Sequence, residues 1–74
     1  MRSARIVNPQ SLGSVLREAR LARGITQRQL AHELDVNQEY IVHLEAGKPT
    51  KAMTRLFDFM QETGVTLYAE VADD

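Results

Sequence analysis

Residues 25–47, ITQRQLAHELDVNQEYIVHLEAG, contain the pattern that decides the fold. Twice in this stretch an apolar residue precedes a helix-capping residue, and a second apolar residue follows four positions after the cap: Ile25-Thr26 with Leu30, and Val36-Asn37 with Ile41. This spacing is typical of a helix N-cap with a hydrophobic staple. It predicts two helices, over residues 27–34 and 38–46, joined by a three-residue turn.

Two short helices joined in this way make a helix-turn-helix unit. Ala31 is small at the point where the second helix must cross the first closely. The apolar side chains expected to fill the wedge between the two helices are Leu30, Leu34, Val36, Ile41 and Leu44. The remaining side chains of the second helix are polar or reachable from solvent, so that helix presents a face to a partner.

A third copy of the capping pattern lies upstream, at Val7-Asn8 with Leu12, and Pro9 occupies the favoured first helical position. It predicts a helix over residues 9–23 that ends before Gly24. The apolar stripe of this helix consists of Leu12, Val15, Leu16 and Ala19.

Downstream of the unit, Gly47 and Pro49 end the third helix, and a fourth is predicted to start between residues 50 and 52 and to end at Gly64. Its cap is poorly defined. Its apolar residues are Met53, Leu56, Phe57, Phe59 and Met60.

Residues 65–71 have a different period, because apolar residues alternate there with polar or amphipathic ones. The alternation predicts a strand with one apolar face, made of Val65, Leu67, Ala69 and Val71. A lone strand cannot satisfy its backbone groups, and no other segment has a strand pattern. We therefore expect this strand either to pair with the same segment of a second copy in a homodimer or to be disordered in the monomer.

The chain of 74 residues has a net charge of −1 and no cysteine. Its length predicts a single domain over residues 1–74, with a core over 9–64. Such a core barely offsets the cost of ordering the chain, so oligomerisation is expected to add stability. Without cysteine, a disulfide framework, a thiolate metal site and a catalytic thiol are excluded.

The sequence also argues against an enzyme, because no Ser-His-Asp set, glycine-rich phosphate loop or suitably spaced carboxylate pair is present. His32 and His43 lie on different predicted helices with no third ligand, so neither a metal nor another cofactor is expected. No apolar run approaches the roughly 18–20 residues of a membrane span, and the N-terminus lacks the apolar centre of a signal peptide. We therefore expect no membrane partner.

Charge is distributed unevenly along the chain. Residues 1–34 carry six Arg against two Glu, a net charge of +4, whereas residues 51–74 have a net charge of −3. This asymmetry suits one basic face and one acidic end.

Over about residues 12–64 the chain resembles the XRE (lambdoid-repressor-like) helix-turn-helix family. The matching residues are Leu16-Arg17, Arg20, Gly24-Ile25-Thr26-Gln27, Leu30-Ala31, Val36-Asn37-Gln38, Ile41, Leu44-Glu45 and Gly47. Asp35 stands where the family usually has Gly in a left-handed turn, which Asp tolerates better than most residues. The resemblance implies an all-α, four-helix, lambda-repressor-like domain that binds operator DNA, here followed by the strand expected to pair across a homodimer.

Further residues are similar to one branch of this family, the HipB-type antitoxins: Asn8-Pro9, Met53-Thr54, Leu56-Phe57, Met60-Gln61 and Val65-Thr66-Leu67. That similarity implies a repressor of its own operon that also binds a HipA-like serine/threonine kinase toxin. The alternative is a stand-alone XRE-family regulator with no toxin partner. Either protein is expected in the cytoplasm, associated with the nucleoid.

The family role places the second helix of the unit in the major groove, with its N-terminal residues on base edges. Gln38 lies in the first turn, where its amide can pair with adenine N6 and N7, a role that the family has at the same motif position. Glu39 suits cytosine N4, and Tyr40 and His43 can reach a base or a phosphate. The full set of predicted DNA contacts is Thr26, Gln27, Arg28, Asn37, Gln38, Glu39, Tyr40, His43, Lys48 and Lys51.

Each of these contacts has a structural alternative. Gln38 could be a solvated residue of the first turn, and Glu39 could simply favour the positive end of the helix. Tyr40 could be part of the core and His43 an inert surface residue. The basic members of the set could be plain solubilising charge, as we expect for Arg17, Arg23 and Arg55.

Arg20 and Glu45 have a different expected role. The family resemblance implies an ion pair between them that ties the first helix to the end of the third. Such a pair would hold the recognition helix against the rest of the domain. The alternative is two unpaired surface charges.

Overall fold

The computed structural model describes residues 2–72. In chain order these residues form β1 (Arg2–Ile6), α1 (Pro9–Ala22), α2 (Gln27–Leu34), α3 (Gln38–Glu45), α4 (Lys51–Thr63) and β2 (Leu67–Val71). All four predicted helices are present, with ends within one residue of the predicted ones. A two-stranded antiparallel sheet completes the fold.

The helices begin where local hydrogen bonds cap them. The side chains of Asn8, Thr26 and Asn37 accept a bond from the backbone N–H three residues on, at 2.7, 3.0 and 2.8 Å. Thr50, the cap that the sequence left undefined, accepts from the Met53 N–H at 3.2 Å. Because each bond joins residues three apart in the chain, the start of each helix follows from local sequence.

The expectation that the C-terminal strand has no partner in its own chain is wrong. β1 pairs with β2 in an antiparallel register that runs from Arg2 opposite Val71 to Ile6 opposite Leu67. The β1 segment, RSARI, contains two arginines, and polar and apolar residues alternate only over residues 3–6. Its pairing is set by tertiary contacts, which override weak strand propensity.

One face of the sheet covers α1. Ile6 on this face is 2% exposed, and Ala69 and Val71 are half-buried beside residues of α1. Leu67, paired with Ile6, shares this face. Val65, predicted to lie on it, precedes the strand and is 53% exposed, since β2 begins two residues later than expected.

The buried apolar core of residues 2–72 is small and consists of Ile6, Ala31 and Ile41. The prediction that Leu34 and Val36 fill the wedge between α2 and α3 is wrong, because they are 57% and 37% exposed. Leu34 instead lines an open apolar groove bounded by α1, α2, α3 and β2. No element of the described chain closes this groove.

α4 is the least covered helix. None of its residues is buried, and Leu56 and Phe59 are 54% and 66% exposed. The predicted apolar stripe of α4 is therefore only partly covered by other residues of the chain. None of the helices found in residues 2–72 is long and apolar enough to cross a membrane.

Candidate nucleic-acid interface

The turn between α2 and α3 sets the direction of α3. Asp35 ends α2 in the left-handed conformation, with φ 55° and ψ 46°, as predicted for the position that is usually Gly. The N–H groups of Asp35 and Val36 donate to the carbonyl oxygens of His32 and Ala31, at 3.2 and 3.0 Å. Asn37 then returns to extended backbone and caps α3. The turn is closed by its own hydrogen bonds and starts α3 at Gln38.

α3 has one buried and one exposed side. Ile41 and Glu45 are buried against the domain. Gln38, Glu39 and Tyr40 are exposed at the N-terminal end of the helix, with Tyr40 at 52% exposure. The exposed end is therefore the part that can enter a groove of DNA, and Tyr40 is not a core residue of the monomer.

The two N-cap residues in the predicted contact set already bond their own helices. Asn37 Oδ1 accepts from the Tyr40 N–H, which leaves its side-chain amide as a donor. Thr26 Oγ1 accepts from the Gln29 N–H at 3.0 Å, and Gln29 Oε1 accepts from the Thr26 N–H at 2.8 Å. Both caps are exposed, so the donors that remain at these helix starts can face a phosphate.

Arg20 and Glu45 form a buried ion pair. Arg20 Nε donates to Oε2 at 2.6 Å and Nη2 donates to Oε1 at 2.9 Å, while Nη1 donates to the Ile25 carbonyl oxygen at 2.8 Å. The hydrogen bond from Arg20 holds the pKa of Glu45 below its usual value, although burial acts the other way. The same bond raises the pKa of Arg20. Both groups therefore stay charged at neutral pH.

Gln27 extends this network, which the sequence did not predict. Its Nε2 donates to Glu45 Oε1 at 3.2 Å, and the residue is half-buried. The side-chain amide of Gln27, a predicted DNA-contacting residue, is thus partly engaged inside the domain. The bond joins the start of α2 to the end of α3. The turn between the helices already joins their other two ends.

Glu39 and His43 lie one turn apart on α3, with Oε1 and Nε2 separated by 3.6 Å. The Glu39 side chain is 76% exposed and that of His43 is 41% exposed. The pair is accessible, and neither side chain belongs to the buried core.

The predicted DNA-contacting cations lie before and after α3 in the chain. Lys48 follows its C-terminal end, where its backbone N–H donates to the His43 carbonyl oxygen at 3.0 Å. Lys51 is the first residue of α4, and Arg28 lies in the first turn of α2. All three side chains are exposed. They are placed near the helix starts that can bind phosphate, whereas Arg55 lies further along α4.

One further residue with a bearing on α3 was missed from the sequence. Gly13 is buried in the interior of α1, where it faces the end of α3. A glycine inside an otherwise good helical pattern costs helix stability, and that was the available signal.

Comparison with known proteins places this architecture in a family. The family model described as Helix-turn-helix matches residues 16–69. The chain therefore belongs to the helix-turn-helix family, in its XRE division, and is a DNA-binding transcriptional regulator. An uncharacterized HTH-type transcriptional regulator, y4mF of Sinorhizobium fredii (strain NBRC 101917 / NGR234), is 33% identical over 63 residues, which cover 85% of this chain and 83% of the relative. No solved structure matches the chain significantly.

Proposed function

We propose that this regulator is a repressor that binds a two-fold symmetric operator as a homodimer, with α3 of each subunit in the major groove. The observation that carries the proposal is the exposure of the N-terminal end of α3. Ile41 and Glu45 anchor the helix in the domain, and Gln38, Glu39 and Tyr40 are exposed together at its start. An exposed amide next to an exposed carboxylate can discriminate base edges.

In this proposal Gln38 pairs with adenine and Glu39 accepts from cytosine N4. Tyr40 and His43 contact a base or the adjacent phosphate. Phosphate contacts come from the helix starts and the surrounding cations, namely Thr26, Gln27, Asn37, Arg28, Lys48 and Lys51. These contacts position the domain, and those of α3 supply the sequence preference.

Selection from a random duplex library tests the DNA-binding proposal. The wild-type chain is expected to enrich a pseudo-palindrome with half-sites about one helical turn apart, roughly 34–36 Å. The DNA upstream of its own gene is expected to contain that site. Enrichment of no sequence, or of a single asymmetric half-site, would contradict the proposal.

The large solvent-accessible surface area of the chain supports the proposed homodimer. It exposes 5642 Å² for a mass of 8.4 kDa, whereas a folded monomer of this mass exposes about 4,600 Å². The excess of about 1,000 Å² is comparable with the roughly 800 Å² that each partner buries in a stable interface. The domain is also flat, with extents of 37 × 29 × 16 Å.

The free edge of β2 offers a place for that copy. β2 pairs with β1 along one edge only in the described part of the chain. β1 does not line the open apolar groove, so the groove lies beside the other edge of β2, with Leu16 and Leu34 among its walls. A second β2, added antiparallel across a two-fold axis, would form a four-stranded sheet and cover the groove. The dimerisation residues would be Leu67, Ala69 and Val71, with Val65 adjacent to them.

Two leucines on α1 provide a matched test of this interface. Leu16 is 37% exposed in the groove, and Leu21 is 49% exposed outside it. In analytical ultracentrifugation, Leu16→Glu is expected to be monomeric and Leu21→Glu dimeric. Only Leu16→Glu places a charge in the groove that the second copy would cover. A chain that ends at Thr63 is expected to lose both the dimer and tight binding of the selected operator. A tight dimer in Leu16→Glu or in the shortened chain would contradict the interface.

We further propose that the repressor is the antitoxin of a HipBA-like module, which represses its own operon and binds a HipA-like serine/threonine kinase toxin. The similarity of Asn8-Pro9 and of residues 53–67 to HipB-type antitoxins supports this role. The exposed Leu56 and Phe59 on α4 supply an apolar surface outside α3 for such a partner. The toxin could then bind while α3 remains on DNA. The chain itself catalyses nothing and acts in the cytoplasm at the nucleoid.

A stand-alone regulator is the alternative, and the relative y4mF is named as an HTH-type transcriptional regulator. Co-expression with the neighbouring reading frame separates the two. The antitoxin proposal expects a kinase-like protein to co-purify with the wild-type chain and with Gln38→Ala, but not with the Leu56→Glu/Phe59→Glu variant. Recovery of the chain alone, with no kinase-like gene beside it, would establish the stand-alone regulator.

A further inference from the structure

The end of α3 crosses α1 at a point where both segments have glycine. A methyl group on Gly13 would lie 2.6 Å from the backbone oxygens of Leu44 and Glu45, and 2.9 Å from the backbone nitrogen of Gly47. A methyl group on Gly47, whose φ is +74°, would lie 2.5 Å from the Cα of Gln10. Real side chains do not approach backbone this closely. Because the opposing atoms are backbone, no side-chain rearrangement could make room, and the helices themselves would have to separate.

α3 is held on α1 at a second point as well. Arg20 lies seven residues after Gly13, about 10 Å along the helix axis. There the side chain of Glu45 is tied by two hydrogen bonds. The glycine contact sets the distance between the two helices, and the ion pair limits how α3 can turn. If the first contact were widened while the second held, α3 would tilt instead of moving away as a unit.

A tilt of α3 would affect the two kinds of DNA contact differently. Gln38 and Glu39 must meet base edges, where hydrogen-bond geometry is strict. The cations Arg28, Lys48 and Lys51 contact phosphates through long, flexible side chains, and these contacts carry no sequence information. Non-specific affinity therefore survives a change in the angle of α3 that specific affinity does not.

We propose that Gly13 is a positioning residue for DNA recognition: by allowing backbone contact between α1 and the end of α3, it sets the angle at which α3 presents Gln38 and Glu39. This role rests on the DNA-reading function proposed for α3. Interior glycine is unfavourable for helix propensity, and at this buried position the close approach to α3 is what the glycine permits.

The test compares Gly13→Ala with two controls. Ser14→Ala changes the adjacent exposed residue, and Phe57→Ala weakens the domain at a half-buried position of α4, outside the sheet and outside the contact of α1 with α3. The probes are the duplex selected by the wild-type chain and a scrambled duplex of the same length and composition. Binding is measured by fluorescence anisotropy at a temperature where circular dichroism shows each variant to be folded.

Gly13→Ala is expected to lose at least about tenfold in affinity for the selected duplex, the effect of one misplaced base contact or more. Its affinity for the scrambled duplex is expected to change by less than about twofold. Both controls are expected to keep the wild-type ratio of the two affinities. An unchanged ratio in Gly13→Ala, or an equal loss on both duplexes, would overturn the proposal.

If Gly13→Ala folds only in trimethylamine N-oxide, all variants are compared in that osmolyte, which favours compact states. A variant that stays unfolded there also overturns the proposal, because residue 13 would then serve folding alone. A wild-type chain that prefers no duplex would overturn the recognition role of α3 itself. A wild-type preference that Gly13→Ala retains would overturn only the role of Gly13.

Discussion

Arg20 and Glu45 form a bidentate ion pair, with Nε 2.6 Å from Oε2 and Nη2 2.9 Å from Oε1. Since Gln27 also donates to Oε1 of Glu45, one carboxylate connects α1, α2 and α3. The side chains of Arg20 and Glu45 are 8% and 5% exposed. A buried carboxylate with three donors is costly to disturb, because the Arg20 guanidinium would be left as an uncompensated buried charge.

Replacing Glu45 by glutamine tests the contribution of this network to stability. Glu45→Gln leaves Arg20 buried without a counter-charge, and we expect the free energy of unfolding to fall by about 3 kcal/mol. Chemical denaturation followed by circular dichroism measures the change. The control is Glu18→Gln, which removes an exposed pair with Arg2 at 3.7 Å and should cost less than about 1 kcal/mol. Similar losses in the two variants would show that the buried pair is not stabilising.

The pH dependence of stability follows from the lowered pKa of Glu45, which is caused first by the hydrogen bond from Arg20. The unfolded chain has the ordinary value, about 4.3, so the contribution of this group is complete above that pH. It is lost as pH falls through the lower folded value. The stability difference between wild type and Glu45→Gln should therefore be largest near neutral pH and shrink below about pH 4. A difference that stays constant from pH 7 to pH 3 would contradict this.

The sheet contributes to the core through Ile6. Ile6→Ala should lower the free energy of unfolding by about 2–4 kcal/mol, because it empties a site that is 2% exposed. The neighbouring Val7 is 55% exposed, and Val7→Ala should change stability by no more than about 0.5 kcal/mol. Thermal and denaturant unfolding provide the measurement. Equal effects of the two substitutions would mean that β1 does not pack on α1.

Gln38 is expected to determine specificity at one base pair of each half-site. Gln38→Ala should cost about 1–3 kcal/mol on the selected operator and should no longer discriminate against substitutions at that base pair. Gln61→Ala, on the exposed surface of α4, is the control and should bind as wild type. Competition with duplexes that differ at single positions locates the effect. The role assigned to Gln38 fails if its variant distinguishes operator from scrambled DNA as well as the wild type does.

The cations around α3 should appear in the salt dependence of binding. For the wild type, the logarithm of the binding constant should fall with the logarithm of salt concentration by about 0.9 per phosphate neutralised. Lys48→Ala should reduce that slope by about 1 per subunit and weaken binding to all sequences alike. Arg55→Ala, further along α4, should leave the slope unchanged. If both variants behave alike, Lys48 is a solubilising charge.

Much of the DNA-reading unit could be derived from local sequence. Asn8, Thr26 and Asn37 cap helices by bonds to backbone three residues away, so their spacing alone was sufficient. The left-handed turn at Asp35 was predicted from the family resemblance instead. The exposure of Gln38 did not follow from helical periodicity, because Gln38 lies three residues before the buried Ile41 and so on the same side of the helix. It is exposed because it is the first residue of α3.

Other features of the site depend on residues that meet only in the folded chain. Gln27 was expected to face DNA, but its amide reaches a carboxylate 18 residues away. Leu34 was expected in the core, yet the groove that it lines is left open. Helical periodicity predicts which side of a helix is apolar and does not say whether another element will cover that side.

The starts of the helices and the turn before α3 were thus decided by the amino-acid sequence, because each depends on atoms a few residues apart. The tertiary structure decided the pairing of β1 with β2, whose residues Arg2 and Val71 lie at opposite ends of the chain. It also decided the backbone contact at Gly13. Both contacts form only when the assembled helices bring distant segments within hydrogen-bond or van der Waals distance. The conformational preferences of neighbouring residues do not predict such contacts.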